Sequence, residues 1–316
     1  MMIKNIKILI LLIIIVISIF SFTIGYTIGT NTNNHNLKNP NYKILQYIVN
    51  PKPYTVKNVN MPVTYYGYLN GKYIGYQITP HNVNGEARSC FYKYMSLKNK
   101  DPKMAKEYLY RGLFLTDYLI SQSEEESVNL NGTNITYIIW RYNFDFPVYN
   151  LSKGWAGSLC QAGCMKTLYL AYATTGDKRY LNLSKKALNA FKVPVEKGGL
   201  LKIRYKNNIS YYWYPEYASD NPPYVLNGFI TSVMWIGEYS KNTNNSDGIY
   251  LYNEGIKSLK AFIPDYDYNH WSYYDAKGHL CNTHYQHLQR LQMLWLYNLT
   301  GDDLFLKYYH KWTDVE

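Results

Sequence analysis

A chain of 316 residues, 47% of them apolar types, has room for one large core or two smaller ones. Its net charge of +11 points to an acidic partner, but no Lys/Arg cluster has the form of a groove reader, which sets nucleic acid aside. An anionic glycan or a lipid headgroup fits the charge, and so does a basic surface with no specific partner.

The run from Ile8 to Ile28 carries no charge and is nearly pure aliphatic over its first half. About 20 such residues span a bilayer core. Lys4 and Lys7 precede it and Lys38 is the next charge, so the N-terminus is expected in the cytoplasm and the bulk of the chain outside it. Residues 1–29 therefore read as a signal anchor and 30–60 as an Asn- and Pro-rich tether, leaving 61–316 as the folded domain. The expected location is the cell surface, or the Golgi lumen in a eukaryote. A cleavable signal peptide is the rival reading. Seven Asn-x-Ser/Thr sequons, at Asn131, Asn134, Asn150, Asn182, Asn208, Asn244 and Asn298, are consistent with an extracytoplasmic domain.

Thr64 to Gln77 is strand-like around an Asn70-Gly71 turn. Helices are expected from Ala87 onward, first Arg88–Lys98 and Pro102–Gln122, with Asp101 as N-cap and Pro102 in the first position. Ser123–Asn134 reads as a polar loop. Three further helical pairs follow: Trp155–Thr174 with Lys178–Lys192, Val225–Ser240 with Gly248–Phe262, and Thr283–Leu299 with Asp303–Trp312. Thr175-Gly-Asp and Thr300-Gly-Asp recur between helices, where Gly ends one helix and Asp caps the next. Repeated hairpins of this kind predict a mainly α fold, an (α/α) toroid or solenoid, with a small β-hairpin over Gly198–Tyr214 that turns at Asn207-Asn208. Cys160 and Cys164 read as small buried residues, and a Cys90–Cys281 disulfide is compatible with an oxidising compartment.

Three segments carry the chemistry. Tyr214-Pro-Glu-Tyr217 places a single carboxylate among phenols. Trp271-Ser-Tyr-Tyr-Asp275 is followed by Lys277 and His279, and Thr283-His-Tyr-Gln-His287 opens a helix. Each also reads as a packed aromatic turn. His284 and His287 have helical spacing, but no carboxylate stands at matching distance, so no metal is expected. There are 37 tyrosines against 10 phenylalanines, an excess that suits sugar-lining surfaces because the ring stacks while the hydroxyl bonds.

Taken in order, these segments are more specific. Glu216-Tyr217 followed by Val225-Leu-Asn-Gly-Phe229, then Tyr274-Asp275, then His284-x-x-His287 with Leu291-Gln-x-Leu294, resembles the C-terminal catalytic domain of heparosan-type D-glucuronyl C5-epimerases. Gly154-Trp155, Gln161, Ala171-Tyr172, Ser258-Leu-Lys-Ala, Pro264 and Tyr266-Asp267 extend the resemblance over roughly residues 75–316. It implies catalytic roles for Glu216, Tyr217 and Tyr274. The family's last tyrosine belongs where this chain has Thr283, and Tyr285 is the phenol nearest in sequence. Pro215, Ala218 and Lys277 are further departures, and no β-sheet module fits between Lys98 and Asp101.

The implied reaction inverts C5 of a uronate: a base removes a weakly acidic proton and an acid returns one on the opposite face. Glu216, relayed through Tyr217, is expected on one face and Tyr274, helped by Tyr285, on the other. Asn227, Lys277, His284 and Arg290 would hold the carboxylate and ring hydroxyls, with Tyr76, Trp155, Gln161 and His287 completing the substrate-binding set. No cofactor is required. The expected partners are a uronate-containing polysaccharide, the membrane through the N-terminal helix, and a second copy of the chain in a homodimer. A uronate lyase, which lets the same carbanion expel the C4 group, and a noncatalytic tethered glycan-binding protein are the alternatives.

Overall fold

The computed structural model describes residues 61–313. The expected anchor (1–29) and tether (30–60) lie outside the described residues. Among those described, no helix is long and apolar enough to cross a membrane. The chain divides into two units.

The first unit runs to Gln122 and includes Leu170–Asp177. It opens with a tyrosine-rich ribbon. Thr64–Tyr65 (β1) pairs with Tyr76–Gln77 (β4), and Tyr68–Leu69 (β2) pairs with Lys72–Tyr73 (β3), all antiparallel. Asn70 and Gly71 both take positive φ, 46° and 78°, as a two-residue hairpin turn demands. Helix α1 spans Pro80–Leu97 and begins eight residues before the expected Arg88. Thr79 caps it by accepting from Asn82 N, and Pro80 fits the first turn, where its missing N–H costs nothing. Val83, Ala87, Cys90 and Phe91 then form the buried stripe, so helical periodicity was present beneath the polar Asn82 and Asn84. Helix α2, Pro102–Ser121, is capped by Asp101 as expected. A Cβ at Gly112 would lie 3.2 Å from Phe91, so this glycine sets how closely α1 and α2 approach.

The second unit holds Ser123–Tyr169 and Lys178 onward. Its first element corrects the sequence reading. Ser123–Leu130 (β5) and Thr133–Trp140 (β6) form an eight-pair antiparallel hairpin rather than a polar loop. The acidic run Glu124-Glu-Glu126 masks the strand, because its side chains are held by partners from elsewhere in the fold: Arg141 binds Glu124 and Glu126, and Lys186 binds Glu125. Helix α3 is Ser158–Thr175, whose last residues belong to the first unit, and α4 is Lys178–Asn189. The expected hairpin follows as Lys202–Lys206 (β7) and Ile209–Trp213 (β8), turning on Asn207 and Asn208 at φ 52° and 61°. Leu226–Thr243 (α5) and Ser246–Phe262 (α6) pack closely. A Cβ at Gly237 would come within 2.5 Å of Tyr252, and one at Gly255 within 2.5 Å of Val233. Asp267–Tyr268 (β9) pairs with Trp271–Ser272 (β10), and Thr283–Thr300 (α7) with Asp303–Lys311 (α8) end the chain.

The repeated Thr-Gly-Asp turns are alike in detail. Gly176 and Gly301 are left-handed, and each N–H returns to a carbonyl four residues back at 2.7 Å. In each, the following Asp N–H donates to the Thr hydroxyl at 3.2 Å. Trp213, fully buried, stacks on Phe229 at 3.8 Å and joins the β8 hairpin to α5. Cys90, Cys160, Cys164 and Cys281 are all buried thiols. Burial pushes Cys90 and Cys281 up to about 12.

Asp302 caps α8 through Leu304 N and pairs with Lys260. Asp302→Ala should cost about 1 kcal/mol in urea unfolding at neutral pH. The pairing with Lys260 lowers the carboxyl pKa below its ordinary 3.8, so the stabilisation is full above that value and fades as pH falls through the lowered one. An unchanged midpoint at pH 7 would show that the cap contributes nothing.

Candidate active site

Glu216 lies between β8 and α5, on a segment gripped by the start of α3. Ser158 N donates to Pro215 O at 3.0 Å, Ser158 Oγ to Tyr214 O at 2.8 Å, and Ala218 N to Ala156 O at 3.0 Å. Two glycines make room for it. A Cβ at Gly157 would fall 2.1 Å from the Glu216 carbonyl oxygen, and one at Gly228 would fall 1.9 Å from Oε2. The carboxylate is thereby seated against the first turn of α5. Oε2 is buried with no hydrogen-bond partner. Desolvation pushes the Glu216 carboxyl up to about 7, and the Tyr217 hydroxyl bonded to it only partly opposes the shift.

The phenols gather around this carboxylate. Tyr217 stacks on Phe146 at 5.2 Å and packs against Tyr149 at 4.8 Å and Trp155 at 5.6 Å. Tyr274 is hydrogen-bonded to both Tyr217 and Tyr285, and its ring lies 4.7 Å from that of Tyr285. Burial, then the neighbouring Glu216 charge, raises the pKa of Tyr217, Tyr274 and Tyr285. Tyr285 reaches the cluster from the first turn of α7, where Asn282 caps its N–H at 3.0 Å.

The two halves are held in register by a kink. Tyr224 has φ 53°, a left-handed conformation uncommon for a bulky residue. On either side of it Ala276 N donates to Pro223 O and Leu226 N to Tyr274 O, both at 3.0 Å. Tyr266 donates to the Tyr224 carbonyl at 2.5 Å, and Arg204 lies over the Tyr224 ring at 4.2 Å while donating to the Tyr266 hydroxyl.

Tyr149 was not anticipated. It ends a short 3-10 turn, Pro147–Tyr149, and donates to Asp275 Oδ2 at 2.9 Å. Its only sequence signal is the aromatic density of Phe144-Asp-Phe-Pro-Val-Tyr149 ahead of Trp155. Asp275 is buried. Its Oδ1 accepts from the N–H groups of Lys277 and His279, and Oδ2 lies 2.7 Å from His279 Nδ1.

The remaining expected residues separate into two groups. Trp155 walls the site, with its Nε1–H on Phe144 O and its ring stacked on Tyr142 at 3.8 Å. Lys277 Nζ lies 5.5 Å from the Tyr149 ring, and His284 is 5.3 Å from Tyr285, its pKa lowered by burial and then by His287. His287 stands one turn further along α7 and is half-buried. Asn227 neighbours Gly228, and its buried Oδ1 has no partner. Gln161 is a correction, and Arg290 has a structural contact of its own. The Gln161 amide donates to Ile138 O and Ala187 O and accepts from Trp140 N, so its polar atoms brace β6 rather than a substrate. Arg290 lies over Tyr309 and donates to its carbonyl, tying α7 to α8. Tyr76 belongs to the first unit, in contact with Tyr65.

The described residues are mainly helical and set the desolvated Glu216 carboxylate among phenols, an arrangement suited to proton transfer. Residues 133–314 match the family described as the D-glucuronyl C5-epimerase C-terminus, and the chain belongs to that family. It is 66% identical over 290 residues to an uncharacterized protein of Methanocaldococcus jannaschii, covering 92% of this chain and 93% of that one. It is 25% identical over 181 residues to the D-glucuronyl C5-epimerase of Caenorhabditis elegans, covering 51% of this chain but 29% of the nematode protein. A crystal structure of D-mannose isomerase aligns with 78% of this chain and 63% of that chain, at 14% identity and a TM-score of 0.42, too slight a likeness to carry an argument.

The raised Glu216 pKa fixes the sign of a stability effect. Native protein binds the extra proton between the ordinary value of 4.5 and about 7, so stability falls as pH rises through that window and is level above it. Glu216→Gln, which removes the buried charge, should gain on the parent across the window and reach up to about 3 kcal/mol at pH 8. A pH-independent difference in denaturant midpoints would refute the desolvation.

Proposed function

We propose that the chain catalyses C5 epimerisation of D-glucuronate to L-iduronate residues within an anionic polysaccharide. The observation that supports this most is the unpartnered Oε2 of Glu216 beside the linked phenols Tyr217, Tyr274 and Tyr285. A carboxyl raised to about 7 is half ionised near neutrality, poised to take a proton when deprotonated and to release it afterwards. A buried phenol is a poor acid toward water but competent toward a carbanion. Glu216 works on one face of the sugar and the phenol cluster on the other. Lys277, His284 and Asn227 are the polar groups that would hold the uronate carboxylate and hydroxyls.

The rest of the reading travels with this proposal: the (α/α) toroid, the uronate-containing polysaccharide as partner, the membrane anchor with an extracytoplasmic catalytic domain, and a homodimer. The reaction moves only protons and so asks for no cofactor.

Incubation with heparosan in deuterated water should place deuterium at C5 and produce iduronate. Ultraviolet-absorbing unsaturated ends would instead indicate a lyase, and binding without either product would leave a glycan-binding protein. Tyr274→Phe should lower incorporation by about 100-fold or more while heparosan binding persists. Unchanged exchange in that variant would refute the role of its hydroxyl.

A further inference from the structure

Four phenols lie around Glu216, and one of them, Tyr149, is joined through Asp275 to an exposed histidine. Tyr149 donates to Asp275 Oδ2 at 2.9 Å, and the same oxygen lies 2.7 Å from His279 Nδ1. The Asp275 side chain is wholly buried, whereas that of His279 is 65% exposed. Two anchors keep His279 in place. Tyr274 N donates to its carbonyl at 2.7 Å, and Tyr273 bridges to Leu280 across the same loop. Within Asp275 the two oxygens divide the work. Oδ1 accepts the backbone N–H groups of Lys277 and His279, which is all that a turn cap requires. Oδ2 joins two proton-bearing side chains, one facing the phenols and one facing solvent.

We propose that Tyr149 is a proton donor to the substrate carbanion, and that Asp275 and His279 form the path by which solvent reprotonates it. The inference rests on the epimerase reading. Tyr149 lies with the reacting groups by ring contact with Tyr217 and by its electrostatic interaction with Glu216 and Tyr285.

Glu216 takes the C5 proton from one face, and the electron pair left on carbon takes the Tyr149 hydroxyl proton from the other, leaving a phenolate. A phenolate beside the Asp275 carboxylate is two anions on one hydrogen-bonded unit, an unfavourable state in a desolvated site. The His279 imidazolium relieves it. Its Nδ1 proton passes to Oδ2, Oδ2 passes a proton to the phenolate oxygen, and Asp275 ends as it began. Neutral His279 regains a proton from water or buffer, and Glu216 returns its own to water, so no proton is consumed overall. Two further charged groups act on Tyr149: Glu216, which the C5 proton neutralises in this step, and Lys277, whose Nζ lies over the ring and favours the phenolate.

The test uses the full-length protein with heparosan in deuterated water. Tyr149→Phe should lower C5 incorporation by about 100-fold. His279→Ala should lower the turnover number by about tenfold at unchanged KM, because an exposed proton carrier does not bind the sugar. Added imidazole should restore that rate in proportion to its concentration, a response that a purely structural histidine does not give. A His279→Ala rate equal to the parent's, or a deficit that imidazole leaves unchanged, overturns the relay alone. A parent protein that incorporates no deuterium overturns the epimerase reading and the relay with it.

Discussion

The contact on which the site depends is that of the Glu216 carboxylate with the backbone of Gly228. No side chain fits there, since even a methyl group would sit 1.9 Å from Oε2. The carboxylate is thereby removed from water with one oxygen unbonded, a costly arrangement for a charge. Its raised pKa is the response, and under the proposed reaction that response suits it to act as a base near neutral pH. Gly157 does for the Glu216 peptide what Gly228 does for its side chain. Two positions without a Cβ thus leave room for a glutamate with an unpartnered, desolvated oxygen.

The phenols are held by different means. Tyr217 follows Glu216 in the chain and is fixed by the Phe146–Trp155 wall. Tyr274 and Tyr285 arrive from the β10 loop and from α7, and the left-handed Tyr224 sets where that loop meets α5. The strained residue has support on its carbonyl from Tyr266 and on its ring from Arg204. Strain maintained by surrounding contacts at a site of this kind is a means of pre-organisation.

Much of this was legible in the sequence where the cause is local. Asn70-Gly71, Asn207-Asn208 and the two Thr-Gly-Asp turns depend on the φ preferences of a few adjacent residues, and each formed as expected. Glu216, Tyr217, Tyr274 and Tyr285 stood out by chemistry and order, and the fold brings them together. The misreadings have a shared origin. Glu124–Glu126 reads as a loop until Arg141 and Lys186 supply its counter-charges. Gln161 carries the right group for binding a sugar, but β6 and α4 present backbone groups that satisfy it first.

By itself, then, the sequence determined which side chains could do chemistry and where most of the chain turns, because those properties reside in the residues and their immediate neighbours. Tertiary structure alone decided which polar groups remain free for it. Tyr149 meets Asp275 across 126 positions of sequence, and the unpartnered Oε2 of Glu216 is seated against Gly228 of another element. Burial and pairing are properties of contacts between distant segments, and no local pattern encodes them.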